Sequence, residues 1–539
     1  MIAIIKTPPN LPLLRGGDFS PLPRGSKRGS IFWFLVWGIF FSIFFAYLQS
    51  QPTFPDPDSW YHLGLTVLEK QQGLPQTFPW LPQTVLAENF VDHHLLYHLL
   101  LIPFLYFWSP FVAIKIFTLL AALAVLAALA VLARRYTPGY VALLPLFLIS
   151  VPAWLFRINL AKASALGIIC FLLLLHFWWQ KNQLGIFLTA FFYALLYNGW
   201  IVGLGVVIIL SIRHSRPGRE STLRNWIPAC AGMTAGLLLN PYFPQNLAFA
   251  WEHIIKTGFY HTFLGGASGN EWSGLTLSQG ATVLGVLIIL ILPTITLAMV
   301  YWRRLTATLQ QMWILSLVFF IGTIFAQRLL EFFVPVVILA ALTTLSQIFP
   351  DPQSFWQKTK QFIQDLLQHR PLITKPLFLA LVFIIIFRVG LGLSNLTQQF
   401  IQAPATSYGQ ALGNWLTKNA MPGTLVSNDD FGLFPPLWYW SSERLQKNVM
   451  LEQSDSIQYD VDPIGRYAPS RMTISLIADI SFFSGLDPAF NRPTQTPPDN
   501  HLIVLTTKQV EKLRELKSAG WQVNYFDRDF VLLSPPYEK

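Results

Sequence analysis

The sequence predicts a mainly α membrane protein, with about 11 (9–13) transmembrane helices followed by a small extracytoplasmic α/β domain. Three observations predict it. First, the 539 residues are 53% hydrophobic and only 12% charged, against about 25% charged in an ordinary soluble domain. Their mean hydropathy is +0.45, so lipid has to be part of the solvent. Second, the apolar residues fall in long runs, and about 20 residues span a bilayer. Third, the charges are uneven. Residues 1–399 hold 12 acids and 25 bases, a net of +13, whereas residues 400–539 hold 15 acids and 12 bases, a net of −3. Disordered, collagen-like and disulfide-scaffold classes are excluded by this composition. Cys170 and Cys230 both lie in apolar segments and are too few for a cysteine-based metal site. The basic excess reads as the cytoplasmic Lys/Arg bias of a multi-pass protein rather than as nucleic-acid binding.

Residues 1–30 form a polar, basic tail with Lys6, Arg15, Arg24, Lys27 and Arg28. Residues 31–49 are too long for a signal-peptide core and read as a retained first helix, N-terminus in the cytoplasm. Residues 50–92 are a proline-rich first outer loop. Apolar runs follow near 93–108, 111–133, 140–156, 164–180, 184–212, 227–242, 279–301, 312–327, 329–347 and 376–394. With the first helix they make 11 spans within a domain of residues 31–399. This odd number places residues 400–539 outside. Most basic loops then fall inside, but Arg134 and Arg135 do not. An alternative layout lays 93–108 along the interface and breaks 184–212 at Asn198–Gly199. It keeps the parity, brings Arg134 and Arg135 inside, and moves Arg157 and Lys162 outside. The stretch RPGRESTLRNWIPACAGMT resembles the product of a short repeat element of bacterial coding regions, which makes the loop near 215–226 an insertion without chemistry. In the last quarter, 501–507 reads as a strand, 508–519 as an amphipathic helix capped by Gly520, and 521–533 as a hairpin.

The chemistry-bearing residues cluster. The first outer loop holds five of the 12 acids of the membrane part: Asp56, Asp58, Glu69, Glu88 and Asp92. Asp58 and His62 sit just past the first helix, and Asp92, His93 and His94 just before the next apolar run, so both groups lie near one membrane face. Carboxylates beside imidazoles suit a divalent metal or acid–base work. The plainer alternative makes Asp56-Pro57 a turn and Asp92 a helix cap. Arg328 and Glu331 flank a helix start at membrane depth, where ionisable groups are costly. Arg328 suits a phosphate, or it pairs with Glu331 one turn away. Arg157 and Lys162 read as interface anchors, or as a second phosphate grip in the alternative layout. Tyr197, Asn198, Trp200, Asn240, Pro241 and Tyr242 read as packing and kink residues, or as marks of a broken helix beside a cavity.

DPDSWYHLGL after one N-terminal helix resembles the first-loop aspartate motif of the GT-C membrane glycosyltransferases, especially the catalytic subunit of oligosaccharyltransferases and its bacterial relatives. VDHHLLYHLLLIPF, NPYFPQNL, GNEW and the pair SNDDFG…GLDPAFN are similar to the same relatives, over about residues 31–535. The resemblance implies an inverting transfer of a sugar or oligosaccharide from a polyprenyl-phosphate-type donor to an extracytoplasmic glycan, lipid or protein, in the bacterial cytoplasmic membrane. It implies Asp58, Asp92 and Glu271 as catalytic residues. His62, Arg328, Trp272 and Asp430 would contact substrate. A divalent cation (Mg or Mn) would lie among Asp58, Asp92, His93, His94 and Glu271. Two departures stand out. There is no acid between Asp92 and Glu220, where the family has a second acidic motif, so either Asp92 with His93 or His94 replaces that part of the site, or the metal is absent. Where the family has WWDYG, Asn428-Asp429-Asp430-Phe431-Gly432 keeps the Asp-aromatic-Gly but neither tryptophan. No P-loop or Rossmann glycine fingerprint is present, which fits a lipid-linked donor. A non-catalytic envelope scaffold would leave Asp58 replaceable. A transporter would show internal repeats and mid-helix charges, which are not seen.

Overall fold

The computed structural model describes residues 27–78, 80, 86, 88–137, 139–213, 219–251, 273–369, 371–419, 424–428, 434–445, 449–453, 459–461, 467–469, 501–506 and 509–534. The expected class is observed: a helical, apolar first part and a small sheet near the C-terminus. The chain is a multi-pass membrane protein. Among the described residues, five helices are long and apolar enough to cross a bilayer, or six if one bent pair counts as a span. Further apolar helices are shorter.

The first run becomes α1 (Lys27–Ser50). The outer loop then forms α2 (Asp58–Gln72), which starts behind Pro57, carries Asp58 in its first turn and stops at Gly73 with φ +78. Proline at a helix start has no N–H to lose, and an acid there meets the positive end of the helix. After it come α3 (Leu95–Leu101) and α4 (Pro110–Tyr136). The run at 93–108 is not one helix. It is the seven-residue α3 followed by a 3₁₀ turn at Ile102–Tyr106 containing Pro103.

Next come α5 (Leu144–Ile149) and α6 (Pro152–Ile158), which meet at 92°. Val151 precedes Pro152 and takes φ −128, ψ 72. Helical backbone is disfavoured immediately before a proline, so the chain turns there. Then follow α7 (Ser164–Gln180), α8 (Gln183–Leu196), α9 (Trp200–Arg213), α10 (Arg219–Leu238) and α11 (Gln245–Ala250). The run at 184–212 is broken between α8 and α9, where Tyr197 is extended at φ −162, ψ 131.

The break in 184–212 falls where the alternative layout placed it. Lys115, near the start of α4, donates to the Thr53 carbonyl of the first loop at 3.0 Å. Arg134 and Arg135 lie near the other end of this 27-residue helix, about 30 Å away at 1.5 Å per residue. Residues 219–226, read above as part of an inserted loop, belong to α10. That helix packs on α8 through Gly232 and Gly236. A Cβ there would come within 2.3 Å of the Phe187 oxygen and 2.6 Å of the Phe191 oxygen. Small residues four apart let two helix backbones approach this closely.

The remaining helices of the first part are α12 (Leu277–Val300), α13 (Ala307–Phe325), α14 (Leu330–Ile348), α15 (Pro352–His369) and α16 (Pro371–Ile401). α14 is buried along most of its length, from Leu330 through Leu345, and forms the middle of the bundle.

The last quarter contributes α17 (Gln410–Asn419), α18 (Phe434–Leu445) and α19 (Val510–Ser518). Its strands are β1 (Thr424–Asn428), β2 (Val449–Gln453), β3 (Tyr459–Val461), β4 (Tyr467–Pro469), β5 (His501–Thr506), β6 (Gln522–Phe526) and β7 (Phe530–Ser534). Five form a mixed sheet in the order β2-β1-β5-β7-β6. β1 is parallel to β2 and β5, whereas β7 is antiparallel to β5 and β6. β3 and β4 pair separately. The expected strand, helix and hairpin are β5, α19 and β6–β7, with Gly520 at φ +93 behind the helix. This region is seated on the first loop. α18 packs against α2, where a Cβ on Gly64 would lie 2.5 Å from the Trp438 ring. Trp438 also meets Tyr61, Phe78 and Trp80, with ring centroids 5.0 to 6.0 Å away.

Candidate active site

A small cleft opens where α2, the 92–94 segment, the loop after α6 and the break before α9 converge. It is lined by Asp58, Tyr61, His62, His93, His94, Lys162, Ala163, Tyr197 and Arg328. Five of the residues singled out in the sequence therefore share one cavity: Asp58, His62, His93, His94 and Arg328. Asp92 lies just behind it, fully buried. Glu271, Trp272 and Asp430 lie outside the described residues.

Asp58 is placed by a local turn: its N–H donates to Asp56 Oδ1 at 2.8 Å. The turn role foreseen for Asp56 is real, but it does not exhaust the residue. Asp56 Oδ2 and Asp58 Oδ2 both contact Lys162 Nζ, at 2.7 and 2.8 Å. Lys162 is therefore not an interface anchor. The bend between α5 and α6 turns the chain back toward the first loop, and the 159–163 loop is pinned there. Gln49 Nε2 donates to the Asn159 carbonyl at 2.8 Å.

Arg157 is not an interface anchor either. Its Nη2 and Nε reach Glu331 Oε1 at 2.7 and 2.8 Å. Glu331 thus takes Arg157 as its partner instead of Arg328. Arg328 turns to the cleft, where its Nε donates to the Tyr197 hydroxyl at 3.0 Å. The Tyr197 ring lies nearly parallel to His94, with centroids 5.5 Å apart. An extended residue between two helices thus becomes part of a polar, aromatic wall.

Behind the cleft runs a chain of buried groups. Asp92 Oδ1 accepts the His94 N–H at 2.9 Å, a turn two residues long and not the helix cap expected of it, because the N-cap of α3 is His94. Asp92 Oδ2 lies 2.8 Å from His98 Nδ1, and His98 Nε2 lies 2.8 Å from His62 Nδ1. Asp92, His98 and His62 therefore form one continuous hydrogen-bonded chain behind the cleft. Burial lowers the His62 pKa well below the usual imidazole range, and His98 and Lys162 add to the shift, so the ring is neutral. Burial tends to raise the Asp92 pKa, but His98, His93 and the His94 N–H outweigh it and hold the carboxyl below its usual value.

Glu69 lies beside Asp92 with both carboxyl oxygens buried and without a hydrogen-bond partner. Burial first, and the Asp92 charge second, push its pKa up to about 10. Glu69 and His98 had no assigned role in the sequence reading. The available signal was the spacing of His94 and His98, one helical turn apart in an otherwise apolar run.

Two metal positions can be compared. Glu69, Asp92 and His98 offer donors within 4.8 Å of one another and could hold a metal ion. The position expected at Asp58 fits poorly, because the Lys162 ammonium already contacts both first-loop carboxylates.

Solved structures share this architecture. ArnT from Cupriavidus metallidurans in the apo state superposes with a TM-score of 0.53 at 12% identity, covering 94% of this chain and 97% of that one. The same protein bound to undecaprenyl phosphate gives 0.53 at 13% identity, covering 94% and 98%. The oligosaccharyltransferase AglB from Archaeoglobus fulgidus, in complex with an inhibitory peptide and a dolichol-phosphate, gives 0.52 at 11% identity, covering 79% and 65%. Both are GT-C proteins. The chain has the GT-C fold. No protein-family model and no curated protein sequence matches it. Within this fold, Asp58, Tyr61, His62 and the buried Glu69 and Asp92 all come from the first loop.

Proposed function

We propose that the chain is an integral membrane glycosyltransferase. It moves a sugar or oligosaccharide, with inversion, from a polyprenyl-phosphate-type lipid to an acceptor outside the cytoplasm. The observation that carries the reading is the cleft itself. A carboxylate and a neutral imidazole stand opposite two cations, on a fold shared with a protein solved with undecaprenyl phosphate bound.

Each part has a chemical task. The acceptor oxygen attacks the anomeric carbon while the bond from that carbon to the phosphate oxygen breaks. Asp58 orients the acceptor and takes its proton. His62, backed by His98 and Asp92, lies in the same cleft to receive that proton next. Arg328 faces the charge that grows on the departing phosphate, where a fixed guanidinium stabilises the transition state more than the ground state. Tyr61, Tyr197 and His94 give the sugar an aromatic wall.

A metal held by Glu69, Asp92 and His98 would neutralise Asp92 one imidazole away from His62, and no step above uses it. Glu271, Trp272 and Asp430 complete the proposed site as acceptor contacts. The proposed setting is the bacterial inner membrane. Residues 1–30 would be cytoplasmic, 31–399 the membrane domain and 400–539 the extracytoplasmic domain.

The test supplies membranes containing the chain with a panel of radiolabelled polyprenyl-phosphate and polyprenyl-diphosphate sugars, and follows label into aqueous, lipid and protein fractions. Transfer from one donor that is lost in Asp58→Asn supports the enzyme. Transfer that is equal in wild type and Asp58→Asn overturns the assignment of the site. No transfer from any donor makes a non-catalytic scaffold the better reading.

A further inference from the structure

We infer that Lys162 is a built-in counter-cation for Asp56 and Asp58. The first-loop carboxylates then carry out their task with an ammonium between them and take no divalent metal there. The inference deepens the proposed function, because it concerns the same cleft.

The geometry is specific. Two carboxylates two residues apart turn the same atom type, Oδ2, toward one Nζ, at 2.7 and 2.8 Å. All three side chains are at most about one-fifth exposed: 12% for Lys162, 14% for Asp56 and 19% for Asp58. A divalent ion on these oxygens would bind at about 2.0–2.6 Å, within the space that the ammonium fills.

The segment that closes over Asp58 offers no further carboxylate. From residue 93 to residue 219 there is no Asp or Glu, so the loop after α6 that closes over Asp58 brings a cation and no carboxylate. That loop is also held in place. Besides the Gln49 contact, Asn159 Nδ2 donates to the Leu155 carbonyl at 2.9 Å and the Lys162 N–H donates to the Leu160 carbonyl at 2.8 Å. The charge balance agrees. Lys162 and Arg328 offset the two carboxylates, whereas an added divalent ion would leave a net +2 beside the imidazoles.

Lysine suits the position because its ammonium is compact and has three donors. It holds both carboxylate oxygens at once.

The test is Mn²⁺ binding to the purified full-length chain in lipid nanodiscs, read by electron paramagnetic resonance, with no donor present. The wild type is expected to show no Mn²⁺ site that depends on Asp58. Lys162→Ala, and Lys162→Met as a variant that keeps the apolar stem, should gain one that binds at least about ten-fold more tightly than any Asp58-dependent binding in wild type. Adding Asp58→Asn to either variant should abolish that site. This second step also separates the site from any binding by Glu69, Asp92 and His98. An Asp58-dependent Mn²⁺ site in the wild type overturns the inference, and so does its absence in both lysine variants. Because the readout needs no sugar transfer, its outcome is independent of whether the proposed activity is found.

Discussion

Two pairs of acids, both in the first loop, are treated in opposite ways. Asp56 and Asp58 line or border the open cleft and share one lysine. Glu69 and Asp92 are buried at 4% and 0% exposure, with an imidazole on Asp92 and no hydrogen-bond partner on Glu69. The first pair is given a cation, the Lys162 ammonium. The second carries one charge, because isolating two in a dry interior costs too much and one carboxyl keeps its proton. Similar residue types in the same short loop therefore yield a lysine-paired couple at the cleft and a buried couple in which one carboxyl holds a proton. Burial and the nearest partner make the difference.

The largest expected effect is on the cleft pair. Asp58→Asn should lower sugar transfer by about 10³-fold or more while leaving the chain folded, because it removes the carboxylate and keeps the shape. A decrease under about ten-fold would move the proton-accepting role to His62. Arg328→Ala should come next, with about 10²–10³-fold lost from kcat/KM. The loss should be greater for a phosphate donor than for a neutral competitor, measured with matched analogues.

On the buried side, Asp92→Asn should cost about 10²-fold in rate. It should also flatten the acidic limb of the rate–pH profile, since the His98 and His62 tautomers lose their anchor. A variant with the wild-type profile would separate the relay from the chemistry.

Two smaller effects concern the framework. Gly64→Ala forces a methyl group into the Trp438 ring, and overpacking of this kind costs about 1–3 kcal/mol. Limited proteolysis of the last quarter should therefore speed up. Glu69 gives a pH test of the comparison. Its folded pKa, about 10, lies above its ordinary 4.5. Unfolding releases a proton between those values, so the contribution of the neutral acid to stability is full below pH 4.5 and is lost as the pH rises toward 10. Melting of the wild type should fall between pH 6 and 9, and Glu69→Gln, which stays neutral, should flatten that slope.

The sequence made some of this site legible because the signals were local. An acid two residues after another, behind a span and before a short amphipathic helix, announces itself, and so do three histidines within six residues. What remained hidden depends on distant chain folding. Lys162 reaches Asp58 because Pro152 bends the chain. Arg157 meets Glu331 from 174 residues away. Tyr197 enters the cleft because its own backbone interrupts an apolar run. The short α3 was obscured for a related reason: Leu, Tyr and Phe near a loop satisfy a hydropathy window whether or not a proline stops the helix. Three strands of the C-terminal sheet, β5, β6 and β7, were readable from local pattern and one glycine, whereas β1 and β2, which come from residues 424–453, were not. The seat of this region on α2 depends on a tryptophan meeting a glycine 374 positions earlier, a pairing that no local pattern encodes.

The central claim is that Asp58 performs the transfer in a cleft that binds a lipid phosphate. The most direct measurement compares wild type and Asp58→Asn in proteoliposomes containing the donor found active. Each is scored for photo-crosslinking to a polyprenyl-phosphate probe and for single-turnover sugar transfer. The account predicts equal crosslinking, with transfer in the wild type and none in the variant. Transfer by Asp58→Asn at the wild-type rate, with crosslinking unchanged, would contradict it.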